Sequence, residues 1–203
     1  MFKNPIKTMA CVVIWVAAAQ AQAEAPADAL VRQISVEVIE TAKSDKAIQG
    51  GDLARISALV EGKVMPHVNF EVVTRSAVGP QWRTATPEQR GKLQAEFKTL
   101  LVRVYAGAIS QLRDQTVEIT KTLPVPGGTQ VVVQTEVKGK GEPIKLDYRL
   151  DKVADAWKII DVNVGGLWLV QNYRSQFAQE LGKGGIDGLI TTLAERNRNA
   201  GKS

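Results

Sequence analysis

The side chains that carry most acid–base and nucleophilic chemistry are scarce in this sequence. Histidine occurs once, as His67 in Met65-Pro66-His67-Val68-Asn69-Phe70, so a catalytic triad or histidine pair lacks its usual member. Cys11 is the only thiol, and with one His there is no ligand set for zinc. The carboxylates Asp147, Asp151, Asp155 and Asp161 lie close together in the chain. The first two fall on a charged strand face, Asp155 in a turn, and Asp161 alternates with Ile160 and Val162. HExxH, GxSxG and GxxxxGK[ST] are absent, and Gly182-Lys183-Gly184-Gly185 lacks the strand and spacing of a phosphate loop. It reads as a link between helices. No catalytic residue, metal site or cofactor is predicted.

The charges say little more by themselves. The chain has 203 residues, 44% hydrophobic and 23% charged, with a net charge of +5. That composition fits a soluble globular protein and excludes a disulfide scaffold, a collagen or a multi-pass membrane protein. The N-terminus combines Lys3 and Lys7, an apolar run from Met9 to Ala19, and the small-x-small site Ala21-x-Ala23. These are the three parts of a cleavable signal peptide over residues 1–23, and the run is too short to span a bilayer. Cleavage removes Cys11 and two lysines, leaving 24 basic against 21 acidic side chains, a net +3. The remaining basic residues are scattered, without the basic stripe and interleaved aromatics that bind nucleic acid. They read as solvated surface, with Arg90, Lys92 and Lys140 as candidates for docking to anionic partners.

The elements that must position any site change character midway. We read residues 24–203 as a single domain in which 24–113 is mostly helical, 114–166 is an antiparallel sheet, and 167–198 supplies closing helices. Thr86-Pro87-Glu88-Gln89 has the pattern of a capping box with Pro at the first helical position. After it, Leu93, Phe97, Leu100, Leu101, Val104, Tyr105, Ile109 and Leu112 recur at steps of three and four, which predicts a long helix with one apolar face. From Thr116 the period becomes two. Four strand-like runs, Thr116 to Thr120, Gln130 to Val137, Ile144 to Leu150 and Trp157 to Val164, are joined by short Gly- and Pro-bearing links. Helical spacing returns at Leu169. The class is α+β, with helices stacked on one face of an antiparallel sheet of about four strands. Such an arrangement can fill its interior or enclose an apolar cavity, and periodicity does not separate the two.

Three stretches in the helical half resemble a known family. They are Val64-Met65-Pro66-His67-Val68-Asn69-Phe70, the run from Ala77 through Trp82 to Arg90, and Phe97-Lys98-Thr99-Leu100-Leu101-Val102-Arg103-Val104-Tyr105. In the second half Leu146-Asp147-Tyr148-Arg149-Leu150, Trp157 to Val162 and Asn172-Tyr173-Arg174-Ser175-Gln176-Phe177 continue the likeness. Together they resemble the MlaC-type periplasmic phospholipid-binding proteins, also called toluene-tolerance proteins. The sequence departs at Asn69, where Asp is frequent in the family, and at Gly165-Gly166-Leu167-Trp168, where Glu-Gly-Val-Ser is common.

The resemblance implies an NTF2-like sheet and helices enclosing a pocket for acyl chains. It implies a monomeric, non-enzymatic periplasmic carrier that moves phospholipid, held by two acyl chains, between membranes and so maintains outer-membrane lipid asymmetry. Its partners would be an outer-membrane lipoprotein complex and an inner-membrane ABC transporter complex with its periplasmic substrate-binding subunit. The expected lining is Leu101, Val104, Tyr105 and Ile109 from the long helix and Val131, Val133, Leu146, Tyr148 and Leu150 from the sheet, with Trp168 and Tyr173 nearby. Two alternatives stand beside this: a carrier of another lipid such as a hopanoid, suggested by Trp168 and the Gly165-Gly166 departure, and an NTF2-fold isomerase or dehydratase using a pocket carboxylate.

Overall fold

The computed structural model describes residues 26–200. The predicted signal peptide lies outside them. The N-terminal half runs α1 (Ala27–Ser44), α2 (Lys46–Gln49), α3 (Leu53–Leu59), a π-helical turn (Val60–Val64), a 3-10 turn (Met65–His67), α4 (Phe70–Val78), a second 3-10 turn (Gly79–Arg83) and α5 (Pro87–Ser110). Strands β1 (Thr116–Pro124), β2 (Gln130–Lys138), β3 (Ile144–Val153), β4 (Ala156–Val164) and β5 (Leu167–Trp168) follow in spatial order, all antiparallel. α6 (Leu169–Asn199) closes the chain. No helix among the described residues is long and apolar enough to cross a membrane.

Local chemistry accounts for most of the boundaries. The capping box forms: Thr86 accepts from the Gln89 backbone N–H at 3.2 Å while the Gln89 side chain accepts from Thr86 N–H at 2.9 Å. Asn69 caps α4 by accepting from Val72 N–H at 3.3 Å. Asn and Asp cap about equally well, so the departure from the family at this position leaves the role intact. Gly165 and Gly166 both have positive φ, as a two-residue hairpin turn of the primed type requires. That turn adds β5, so the sheet has five strands where four were expected. Gly182-Lys183-Gly184-Gly185 is helical up to a break at Gly185 (φ 61°). The break separates a limb carrying Tyr173, Phe177 and Leu181 from one carrying Ile186, Leu189 and Leu193.

One β-bulge decides which side chains face inward. Register moves from Arg149↔Asp161 to Leu150↔Ile159, leaving Ile160 as the extra residue on β4. Alternation would otherwise turn one half of β4 outward. With the bulge, Val164, Val162, Ile159 and Trp157 all share the helix-facing side with Leu146, Tyr148 and Leu150.

The apolar interior has three parts. Between α4, α5 and α6, Phe97 is 1% exposed, with ring centroids 4.9 Å from Tyr173 and 5.0 Å from Phe177, a spacing favourable for aromatic pairs. Between α1 and the sheet, Val31 and Ile34 pack with Val133, Leu150 and Ile159. A third cluster joins Ala42, Ile48, Ile56 and Leu59 to Ala106 of α5.

Candidate functional site

α5 lies where these clusters meet, and on its sheet-facing side the interior is not filled. An apolar pocket of about 310 Å³, open to solvent, separates α5 from the sheet. From α5 it takes Leu101, Val102, Tyr105 and Ile109; from the sheet, Leu146, Tyr148, Val162 and Val164. The irregular segment before α4 supplies Val60, Val64 and Met65, and the starts of α4 and α6 supply Phe70 and Leu169. Lys98 is the single charged lining residue, and its ammonium lies 2.5 Å from Glu61.

Two smaller apolar recesses share walls with this pocket. One of about 180 Å³ extends toward α1, past Val64, Leu146 and Tyr148 to Ile34, Val38 and Ile39. The other, of about 80 Å³, extends past Phe70, Leu101, Val162 and Leu169 to Val73 and Phe97. Tyr148 stands between the main pocket and the α1 recess. Its ring borders both, and burial pushes its phenol up to about 12. Tyr105 is also raised by burial.

The segment Val60–His67 is held in place by charges on both sides. Lys63 pairs with Glu37 of α1 at 3.1 Å, and Glu61 pairs with Lys98 of α5. Its far end is tied to β4: Lys158 Nζ donates to the Pro66 carbonyl at 2.7 Å and Asn69 N–H to the Ile159 carbonyl at 2.9 Å.

The expected lining separates into different places. Leu101, Tyr105, Ile109, Leu146 and Tyr148 surround the pocket. Val133 and Leu150 point the same way but are fully covered, and Val131 packs with them, because α1 lies over that part of the sheet. Tyr173 belongs to the aromatic cluster of the helical layer and is 6% exposed. Val104 is 55% exposed. It sits one turn past Leu100, beyond which α5's buried contacts rotate to Val102 and Ala106.

Trp168 is furthest from the expectation. It stacks on Arg149, the guanidinium carbon 4.5 Å from the ring centroid, in a cleft on the opposite sheet face. It therefore does not reshape the apolar pocket, and the observation that suggested a hopanoid disappears. Arg90 is also corrected as a docking residue: it donates to the Trp82 carbonyl at 3.1 Å and lies over the Trp82 ring.

The residues not anticipated are Val60, Val64, Met65, Phe70, Lys98, Val102, Val162, Val164 and Leu169. Val162 and Val164 were visible as β-strand alternation, whereas Val60, Val64 and Met65 sit on turns without helical period.

Comparison with known proteins gives this geometry a context. The chain is 26% identical over 145 residues to the toluene tolerance protein ttg2D of Pseudomonas putida, covering 68% of this chain and 67% of that one. It is 24% identical over 144 residues to the intermembrane phospholipid transport system binding protein MlaC of Haemophilus influenzae, covering 69% and 67%. The structure of a phospholipid-binding protein from Ralstonia solanacearum, in complex with a phospholipid, is similar with a TM-score of 0.84 and 41% identity, covering 87% of this chain and 99% of that one. The MlaC protein family model matches residues 32–195, and the chain belongs to that family.

Proposed function

We propose that this chain is a periplasmic carrier that binds phospholipid by its acyl chains in the pocket between α5 and the sheet. It shuttles the lipid between an outer-membrane lipoprotein complex and an inner-membrane ABC transporter complex with its periplasmic substrate-binding subunit, maintaining outer-membrane lipid asymmetry. The observation that carries this reading is the lining: thirteen of the fourteen residues are aliphatic, aromatic or Met, and the fourteenth, Lys98, is paired with Glu61. Burying an acyl chain contributes about 0.8 kcal/mol per methylene, so release must be coupled to docking on a membrane complex. A pocket of about 310 Å³ is at the small end of the range for drug-sized ligands. Two chains would also occupy the two recesses, which leave the main pocket in different directions and suit a forked lipid.

The same lining supports a non-enzymatic role. An isomerase or dehydratase needs a carboxylate or imidazole aimed at its substrate, and no Asp, Glu or His is among the fourteen lining residues. Asp161 reaches the smaller recess, but its Oδ1 accepts from both Val162 and Val170 N–H.

The test is lipid extraction and mass spectrometry of protein purified from a bacterial periplasm, alongside Leu101→Trp, which fills the pocket with an indole. We expect co-purified phospholipid in the parent and about a tenfold lower occupancy in the variant, its fold costing about 1–3 kcal/mol. A parent free of phospholipid would refute the carrier reading, and equal occupancy in Leu101→Trp would move the lipid to another site.

A further inference from the structure

On the sheet face opposite the apolar pocket lies a second cleft, of about 590 Å³. Three arginines from three elements line it: Arg75 of α4, Arg149 of β3 and Arg174 of α6. None of their guanidinium groups has a hydrogen bond or ion pair to another described residue. Some basic side chains elsewhere are engaged, as in Arg55 with Asp45 at 2.6 Å, Lys92 with Glu88 at 2.7 Å and Arg90 with the Trp82 carbonyl. What is particular to the cleft is that three unpaired guanidinium groups from three elements converge on it.

The carboxylates in the cleft are committed to other tasks. Asp161 Oδ1 accepts from Val162 N–H at 2.9 Å and from Val170 N–H at 3.0 Å, near the start of α6. Asp151 accepts from the Thr129 hydroxyl. Burial raises the Asp161 carboxyl from its ordinary value, and the charge of its cross-strand neighbour Arg149 opposes that shift without a hydrogen bond between them. Positive charge is thus assembled on this face without a bonded counterion.

Arg149 is also pre-positioned. The Gly165–Gly166 turn brings Trp168 opposite Asn163 in the sheet, and its ring holds the Arg149 guanidinium by a cation–π contact. Arg149 Nε is buried with no partner, as are Arg90 Nε and Arg103 Nε and Nη1 outside the cleft. Arg149 differs from those two in facing the cleft beside Arg75 and Arg174. Arg75 and Arg174 are exposed, so the cleft is reachable by a group carried on a larger body.

We propose that this cleft binds a phosphate group, gripped by Arg75, Arg149 and Arg174. Each guanidinium offers two parallel N–H donors. One fork satisfies a carboxylate's two oxygens, whereas forks arriving from three elements suit a tetrahedral group with several anionic oxygens. The phosphate could belong to a phospholipid head group or to a small free phosphate, and the site does not depend on the apolar pocket holding lipid.

The experiment uses the secreted chain, residues 24–203, with its arginines labelled with nitrogen-15. Arginine Nε–H signals are followed as inorganic phosphate is added at low ionic strength, and co-sedimentation with phosphatidylglycerol vesicles is measured in parallel. The expected result is saturable binding that weakens about tenfold or more in Arg75→Gln/Arg174→Gln and in Arg149→Gln, with Lys121→Gln, on β1 outside the cleft, unchanged. The double variant alters only exposed side chains, so it remains informative if Arg149→Gln fails to fold. Binding of vesicles alone assigns the phosphate to a head group, and binding of inorganic phosphate alone assigns it to a small ligand. Either result upholds the site. The proposal is overturned if neither probe saturates, if Lys121→Gln loses as much as the arginine variants, or if hexa-aspartate saturates the arginine signals where phosphate does not, which would make the cleft a protein-docking site. Lipid content of the same samples, unchanged in the double variant, separates failure here from failure of the carrier reading.

Discussion

Between α4, α5 and α6, apolar side chains meet one another; between α5 and the sheet, equally apolar side chains face a space. The first region is closed by aromatic rings gathered on Phe97, which meets Phe70, Tyr173 and Phe177, the last two also packed on each other. The second is lined mainly by Val, Leu and Ile, and opens to solvent. Planar rings tile the angles between crossing helices. A curved wall of branched aliphatic side chains over a pleated sheet leaves room for something long and flexible. Hydrophobic content therefore divides into two uses, cohesion and capacity, and α5 serves both with adjacent faces.

The comparison breaks most readily at its filled side. Phe97→Ala removes the centre of the aromatic cluster and should destabilise the fold by about 3–5 kcal/mol. Leu146→Ala, which enlarges an existing space and so spares the cost of a new closed cavity, should lose less, about 2 kcal/mol. Urea denaturation of both lipid-free variants checks this, and equal losses would erase the distinction between the regions.

A smaller effect sharpens the boundary at Tyr148. Its phenol is held near 12 in the folded chain against an ordinary value near 10. The folded state thus retains the proton more tightly than the unfolded one. Stability from this group is complete below pH 10 and is lost as pH rises toward 12, a decline on the order of 2 kcal/mol. Tyr148→Phe should remove that part of the alkaline decline, measured as the difference between the two proteins' denaturation midpoints across this range. The smallest effect is expected at Val104, whose exposure puts it in neither region. Val104→Ser should change stability by less than about 0.5 kcal/mol and leave lipid content unaltered.

Much of this was readable in the chain because it depends on local chemistry. The Thr86–Gln89 capping box, the steps of three and four along α5, and the alternation Leu146, Tyr148, Leu150 each predict an element and the face it buries. The same period cannot say where a covering helix stops. Leu150 and Tyr148 lie on one face of β3, yet α1 lies over the first and leaves the second beside a pocket, a difference set by tertiary placement. Trp168 lies away from its expected place for a related reason: its direction follows from a hairpin turn that pairs it with Asn163, not from its own hydrophobicity. The bulge at Ile160 was equally hidden, since a run of apolar residues looks alike whether it alternates strictly or slips by one.

The π-helical turn at Val60–Val64 has a consequence for how this fold tolerates editing. A π turn holds one more residue than the α turn it replaces, and each residue of an α-helix advances the chain by about 100°. A side chain added at Gly62 would meet nothing within 4 Å, so this turn faces open space, and deleting Gly62 would let it relax to α geometry. Because a π turn absorbs its extra residue locally, Val64 and Met65 would keep their places in the pocket wall. The turn is therefore the place in this wall where the chain can lose a residue at least cost to the pocket. A deletion within α3, where no π turn absorbs it, would turn the residues on either side by about 100° relative to one another.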